Sequence, residues 1–103
     1  MYKIEYLEPA LEDIHEIVSY ISNELSNREA AIKLTEKIIN KGNMLADFPY
    51  GRPVYIPIKK LQFEYRSIKV DNYLLFYFID EDKKKVLIAR VIYSKRDIPN
   101  TIQ

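Results

Sequence analysis

The residues best suited to chemistry lie in the second half of the chain, where positive side chains and a tyrosine follow one another. They are Arg66, Lys69, Arg90, Tyr93, Lys95 and Arg96. Basic side chains can hold a phosphate and stabilise a pentavalent phosphorane, and a lysine beside another cation can replace histidine in proton transfer. The same set can bind an acidic protein surface without any chemistry. The residue types therefore predict an anionic partner and leave open whether it is a nucleic acid or a protein.

Arg90 and the two cations that follow it each admit a structural explanation as well. Arg90 interrupts the apolar run "VLIARVIY", where a buried guanidinium without a partner would cost several kcal/mol. It must therefore reach the rim of the fold, a carboxylate or a ligand. An ion pair with an acid of the first helix is the structural alternative to a contact with a target. For Lys95 and Arg96, which follow the predicted strand end, the alternative is an exposed tail.

The scarcity of histidine and cysteine removes most metal and nucleophile chemistry. The chain has no cysteine, and His15 is its one histidine. Disulfides, thiolate metal sites and cysteine nucleophiles are thereby excluded. His15 has no second imidazole or thiolate with which to complete a metal site, so it fits better as an ordinary residue on the flank of a helix. We expect no metal and no cofactor.

The charge is unevenly distributed, although the net charge is only +1. Residues 1–25 carry one lysine and six acidic residues, whereas residues 51–70 carry five basic residues and one acid. One end of the fold is predicted to be acidic and another basic, which bears on the choice of partners.

Length and hydropathy favour a single domain in the cytoplasm. A chain of 103 residues suffices for one modest core, so we expect one domain over residues 1–103. The first residues lack a basic start followed by a long apolar run, and about 18 uncharged apolar residues never follow one another. We therefore expect a cytoplasmic protein with no membrane partner.

The first half of the chain predicts a strand and two helices. Alternation in "YKIEY" indicates a short half-buried strand. Apolar residues at three- and four-residue steps predict a helix over residues 9–25, with Pro9 in its first turn. Ser26 stands three residues before Glu29, a capping pattern that predicts the start of a second, antiparallel helix. Prolines and a glycine then predict an irregular loop over 47–60.

The second half predicts three strands joined as hairpins. Residues 65–70, 73–79 and 86–93 are rich in aromatic and β-branched residues and are separated by "DN" and by "DEDKKK", which we interpret as a solvated turn. The order β-α-α-β-β-β predicts an α+β fold with a helical hairpin on one face of a small antiparallel sheet. Both faces of the later strands are apolar, and we infer that a partner covers the second face.

The order of elements and the motifs "FPYGRP" and "RSIKVDNYLLFYFIDEDKKKVLIARVIYSKRD" resemble the RelE/ParE superfamily of type II toxin–antitoxin toxins. The resemblance covers nearly the whole chain. Its most specific part is a pattern matched at Tyr73, Tyr77, Val86, Ile88, Arg90, Val91, Tyr93, Arg96 and Asp97. It implies a growth-inhibiting toxin, associated with plasmid stabilisation and silenced in a hetero-oligomer by a cognate antitoxin.

The resemblance implies two alternative targets. RelE-like members cut mRNA on the ribosome without a metal, and here Lys69, Arg96 and Tyr93 would carry the catalysis. The arginine that such members have in the third strand falls on Leu74, and their C-terminal tyrosine falls on Ile102. ParE-like members instead bind DNA gyrase, and "FPYGRP" and "ARVIYSKRD" are more similar to that branch. In that case Arg66, Arg90, Lys95 and Arg96 would be the contacts with the target.

Overall fold

The computed structural model describes residues 1–56 and 63–96 of the chain. The end of the predicted 47–60 loop and the positions of Asp97 and Ile102 lie outside the described residues. The helices and strands follow the predicted order, with a π-helical segment over Tyr20–Glu24 and a 3-10 turn over Pro49–Gly51. They are β1 (Lys3–Tyr6), α1 (Glu8–Ser19), α2 (Arg28–Met44), β2 (Arg66–Val70), β3 (Tyr73–Asp80) and β4 (Lys85–Tyr93).

The four strands form one sheet in the order β1-β4-β3-β2. The predicted hairpins are confirmed, because β2 pairs antiparallel with β3 and β3 with β4. The first strand differs from the antiparallel prediction, because β1 pairs parallel with β4, with Ile4 opposite Val86. The two helices carry the chain across the sheet to β2, and two reversals then bring β4 back beside β1 in the same direction. The α+β class is confirmed, and the sheet is mixed.

The helix ends differ locally from the predictions. The helix predicted over 9–25 is α-helical over Glu8–Ser19 and continues as the π-helical segment. The cap of α2 is Asn27 and not Ser26, because the Asn27 side chain accepts a hydrogen bond from the Ala30 N–H at 3.1 Å. Ser26 has φ 48, a left-handed conformation that an N-cap does not adopt. No helix within residues 1–56 and 63–96 has both the length and the apolar character needed to cross a membrane.

The helices pack on one face of the sheet and form the main core there. Its buried side chains include Leu34, Ile38, Leu75, Tyr77 and Ile88. Gly42 is required for close approach, because a Cβ at this position would lie 2.5 Å from the Tyr6 hydroxyl and 3.2 Å from Ile88 Cδ1. A glycine that weakens α2 locally thus lets the helix lie close to the sheet.

The second face of the sheet is covered in large part by the chain itself. Phe76 and Ile92 are buried on this face, although no partner chain is present. Tyr55 and Phe63, which precede β2, pack on this face. The Tyr55 ring lies edge-on to Phe76 with 5.3 Å between the ring centroids, and the Phe63 ring is stacked on Phe78 with 4.2 Å between the centroids. The apolar character of this face is thus accounted for in large part by the chain itself, and the inferred partner on it stays a prediction.

Candidate functional site

One end of the sheet collects four of the six residues that the sequence proposed for function. We call this surface the cationic end. The β2–β3 turn lies beside the end of β4 here, since the Ser94 N–H donates to the Asn72 carbonyl at 2.9 Å. The Arg96 N–H donates to the Tyr93 carbonyl at 3.0 Å and turns the chain back. The members of the cationic end are Lys69, Tyr93, Lys95 and Arg96.

The side chains of the cationic end are exposed. Among the residues that the structure describes, Lys69, Lys95 and Arg96 form no ion pair and no side-chain hydrogen bond. Tyr93 is 40% exposed, and its ring packs edge-on against Tyr73 with 5.9 Å between the ring centroids. A cation without an internal partner is available to an external anion, so this end can bind a phosphate or a carboxylate.

The catalytic set proposed for a ribonuclease is only partly assembled. Lys69 lies opposite Leu74 in the sheet, whereas Tyr93 lies opposite Tyr73. Successive residues of a strand point to opposite faces, so the side chains of Lys69 and Tyr93 project from opposite faces of the sheet. Geometry of this kind suits binding of an extended anionic surface better than proton transfer at one scissile bond.

Arg90 is held inside the fold by an acid of the first helix. Its Nε donates to Asp13 Oδ2 at 2.7 Å and its Nη2 donates to Asp13 Oδ1 at 2.9 Å. The same Oδ2 accepts the Val91 N–H at 2.9 Å, beyond the point where β1 stops pairing with β4. The hydrogen bonds that the Arg90 guanidinium donates to the Asp13 carboxylate raise the pKa of Arg90 above its ordinary value. Arg90 is thus accounted for without a target, while its predicted contact with one stays a prediction.

Arg66 is likewise engaged by the chain itself. Its Nη1 donates to the Arg52 carbonyl at 2.6 Å, and its Nη2 lies 3.6 Å from Glu64 Oε1. The guanidinium also lies over the Tyr50 ring, 5.2 Å from its centroid. Arg66 begins β2, three residues from Lys69 and on the other face, so the structure does not bring it to the cationic end. Its position fits support of the "FPYGRP" loop.

The "FPYGRP" loop is fastened to the sheet at two further points, which the sequence did not reveal. The buried Tyr77 hydroxyl donates to the Pro49 carbonyl at 2.6 Å. Glu81 Oε1 accepts the Tyr50 hydroxyl at 2.6 Å and the Tyr2 hydroxyl at 2.7 Å. Glu81 therefore anchors the loop, whereas the sequence placed it in a solvated turn. Its partners are distant in the sequence, so no local pattern could have found them.

The electrostatics of the Glu81 cluster are consistent with this anchoring role. Hydrogen bonds from Lys84, Tyr50 and Tyr2 lower the pKa of Glu81 to about 2. The hydrogen bond to Glu81 raises the pKa of Tyr50 to about 12. The cluster therefore stays in one charge state, a carboxylate with two neutral phenols, over the physiological range.

His15 is exposed on α1 among acidic residues, as expected for a helix flank. Within residues 1–56 and 63–96, no three histidine, aspartate or glutamate side chains are grouped so that they could hold a metal ion. The arrangement that stands out in this part of the chain is therefore the cationic end.

The fold is α+β, with a helical hairpin on a four-stranded sheet whose one end is cationic. Residues 4–98 match the family of the ParE toxin of type II toxin-antitoxin system, parDE. Because the match covers nearly the whole chain, the protein belongs to the ParE toxin family, within the RelE/ParE superfamily. No curated protein matches the chain.

Solved structures of similar fold include the following three. The chromosomal ParDE toxin–antitoxin system of P. aeruginosa aligns with a TM-score of 0.70 at 19% identity, covering 92% of this chain and 98% of that one. The toxin–antitoxin complex RelBE2 of Mycobacterium tuberculosis aligns with a TM-score of 0.63 at 19% identity, over 89% and 96%. A metal-bound toxin of Helicobacter pylori gives 0.57 at 20% identity, over 90% and 94%. At these identities the likeness concerns the fold.

Proposed function

We propose that this toxin, acting as one domain over residues 1–103, inhibits bacterial growth by binding DNA gyrase in the cytoplasm and blocking replication. The observation that carries the proposal is the cationic end, where Lys69, Lys95 and Arg96 have no internal partner among the described residues. Membership in the ParE family supports gyrase as the target. Lys95 and Arg96 are the main contacts in this proposal.

Arg66 and Arg90, which the sequence also offers as contacts, act in this account as supports for the binding surface. Arg90 is held by Asp13 and ties α1 to β4, while Arg66 holds the Arg52 carbonyl. Replacing either arginine would therefore disturb the fold before it tested a contact, because a carboxylate or carbonyl would lose its partner. The exposed cations are the better probes of target binding.

The toxin is further proposed to be neutralised by a cognate antitoxin in a hetero-oligomer. Two of the similar structures are toxin–antitoxin complexes, which supports this arrangement. The antitoxin would keep the cationic end from gyrase until the antitoxin is degraded or displaced. Co-expression of the toxin with the small protein encoded beside it, followed by co-purification, tests this part of the proposal.

Supercoiling by purified gyrase, measured with increasing toxin, tests the target. The wild-type toxin is expected to inhibit, and Lys95→Glu or Arg96→Glu is expected to weaken inhibition by about tenfold or more, because a favourable charge contact becomes repulsive. Lys83→Glu is the matched control, since it makes the same charge change in the β3–β4 turn, at the opposite end of the sheet. Full supercoiling in an excess of wild-type toxin overturns the proposal.

A metal-independent, ribosome-dependent mRNA endoribonuclease is the second candidate. It is favoured by one observation, which is that Lys69 and Arg96 lie at the same end of the sheet. Lys69 would be the base and Arg96 would steady the phosphate. Primer-extension mapping on translating ribosomes should then reveal codon-aligned cuts that vanish in Arg96→Ala. If the mRNA stays intact while the toxin inhibits gyrase, the first candidate is favoured.

A further inference from the structure

Three tyrosines lie together on the helix face of the sheet, beside the cationic end. Tyr73 and Tyr93 are directly opposite each other in β3 and β4, and Tyr73 packs against the main core. Burial raises the pKa of Tyr73, and the Tyr93 and Tyr20 phenols add to this rise, so the three phenols are neighbours. We call Tyr20, Tyr73 and Tyr93 the tyrosine patch. The patch draws on three elements of the fold, so no local pattern in the sequence reveals it.

The π-helical segment after α1 places Tyr20 at the surface. The Tyr20 carbonyl accepts the Leu25 N–H at 3.2 Å, five residues further along the chain instead of the four of an α-helix. Ile21, the next residue, packs against the main core, whereas Tyr20 is 55% exposed. Turns of this kind are uncommon and are frequently found at functional sites. The segment thus keeps Ile21 in the core and leaves the Tyr20 ring accessible to another molecule.

The chain itself holds the turn that lies beside the patch. Asp71, in the β2–β3 turn, has φ 53 and accepts a hydrogen bond from Lys37 Nζ of α2 at 3.2 Å. The Asn72 carbonyl of the same turn accepts the Ser94 N–H at 2.9 Å. A surface that is already ordered loses less conformational entropy when it binds. The patch therefore has the rigidity that a binding surface needs.

The patch and the neighbouring cations together indicate the chemistry of a partner. Tyr20 and Tyr93 present ring surface to solvent, and a phenol can also donate a hydrogen bond. Lys95 and Arg96 follow Tyr93 in the chain and are exposed. Tyrosine and arginine are enriched among the residues that contribute most to protein–protein binding. A protein surface with carboxylates beside apolar side chains would satisfy both parts.

The acidic residues around the patch favour a protein over a nucleic acid as its occupant. Glu16 and Glu24 stand four residues before and after Tyr20, and both are exposed. Asp71 adds a third carboxylate on the side of Tyr73. A nucleic-acid strand carries a phosphate at every nucleotide, so carboxylates on several sides of the patch would repel it. A protein surface can place apolar or basic groups opposite these acids.

We propose that the tyrosine patch is part of the target-binding surface and that Tyr20 contacts gyrase directly. The rings of Tyr20 and Tyr93 bury an apolar segment of the target, and Lys95 and Arg96 meet carboxylates that flank this segment. The proposal rests on the proposed function, which supplies gyrase as the target. It adds an apolar contact to the charge contacts of that account.

Inhibition of gyrase supercoiling by Tyr20→Ala and by Tyr20→Phe tests the proposal. Tyr20→Ala is expected to weaken inhibition by about tenfold or more, because the ring that the target would bury is lost. Tyr20→Phe keeps the ring and is expected to stay within about fivefold of wild type. Salt screens charges and leaves apolar contacts in place, so the effect of Tyr20→Ala should persist at high salt while that of Arg96→Glu shrinks.

Met44→Ala is the matched control. Met44 is 53% exposed, and it lies near Ala46, whose carbonyl accepts the Tyr2 N–H at 2.8 Å at the end of the sheet opposite the cationic end. Met44→Ala is expected to leave inhibition within about twofold of wild type. Both alanine variants should keep the denaturation midpoint of the wild-type toxin, because more than half of each side chain is already exposed to solvent.

Inhibition by Tyr20→Ala at the wild-type level, or an equal loss in Tyr20→Phe, overturns the patch proposal and leaves the proposed function to the result with Lys95→Glu. A lowered denaturation midpoint of Tyr20→Ala would make Tyr20 a structural residue and also overturns it. Binding of a single-stranded oligonucleotide without gyrase, lost in Tyr20→Ala, overturns a protein as the occupant. Full supercoiling in an excess of wild-type toxin overturns the proposed function and the patch proposal together.

Discussion

The cations of this protein fall into two regions that differ in their partners. Arg90 and Arg66 lie within the fold and are bound by Asp13 and by the Arg52 carbonyl. Lys95 and Arg96, only a few residues further along the chain, are exposed and form no ion pair with any residue that the structure describes. Residue type is therefore a poor guide to function here, and the presence of an internal partner separates structural cations from candidate contacts.

The structural role of Arg90 is tested most severely by a change at its partner, Asp13. Asp13→Ala is expected to lower the free energy of unfolding by about 3 kcal/mol, because it leaves the Arg90 guanidinium and the Val91 N–H without their acceptor. The side chains of Arg90 and Asp13 are only 21% and 11% exposed, so water compensates poorly. Chemical denaturation measures the change.

Asp13→Asn provides a control that keeps an oxygen acceptor for the Val91 N–H and removes the charge. Its expected loss is smaller than that of Asp13→Ala. Glu29→Ala offers a second control, because it removes an ion pair with Lys33 whose side chains are 78% and 66% exposed. That change is expected to cost about 0.5 kcal/mol or less. Equal effects of Asp13→Ala and Glu29→Ala would contradict the assignment of Arg90 as a structural cation.

The Glu81 cluster predicts a dependence of stability on pH. The pKa of Glu81 is lowered to about 2, so its contribution to stability is present above the ordinary pKa of 4.5 and is lost as the pH falls toward 2. Glu81→Gln is therefore expected to be less stable than wild type at neutral pH, and the difference should shrink in acid. Asp82→Asn, in the same exposed turn, should leave the acid profile unchanged.

Tyrosine titration gives an independent measure of the same cluster. The pKa of Tyr50 is raised to about 12 by its hydrogen bond to Glu81. Glu81→Gln is expected to bring this pKa down toward the ordinary value of 10.0, which the ultraviolet absorbance of tyrosinate reports after subtraction of a Tyr50→Phe variant. An unchanged titration would mean that Glu81 does not hold the loop.

The cationic end is expected to matter least for stability. Lys95→Ala and Arg96→Ala should each change the free energy of unfolding by about 0.5 kcal/mol or less, because no described partner loses a contact. Both variants should nevertheless weaken growth inhibition when they are expressed. A large loss of stability in either variant would place it with the structural cations.

The hairpins of the second half could be predicted because their signals are local. Alternation and β-branched content specify β3 and β4 within a residue of their ends, and the "DN" turn separates β2 from β3. The residue that caps α2 was harder to predict, because Ser26 and Asn27 both favour the N-cap position. Ser26 adopts a left-handed conformation, so Asn27 is the N-cap. Local competition of this kind cannot be resolved from residue types.

The remaining features depend on contacts between distant residues. The ion pair of Arg90 with Asp13 spans 77 positions, and the hydrogen bond of Tyr2 with Glu81 spans 79. The cover of the second face comes from Tyr55, in the loop predicted over 47–60, and from Phe63, for which the sequence predicts no element. The sequence offered an acid of the first helix as one possible partner of Arg90, and the structure identifies which acid it is.

The most direct test of the account is the affinity of the toxin for gyrase, measured over a range of salt concentrations with wild type and with Lys95→Glu/Arg96→Glu. The wild-type toxin is expected to bind, and rising salt is expected to weaken its binding, because exposed charges are screened. The double variant should bind about tenfold or more weakly at low salt, with a shallower dependence on salt. Equal affinity of the two proteins at every salt concentration would contradict the claim that the cationic end meets the target.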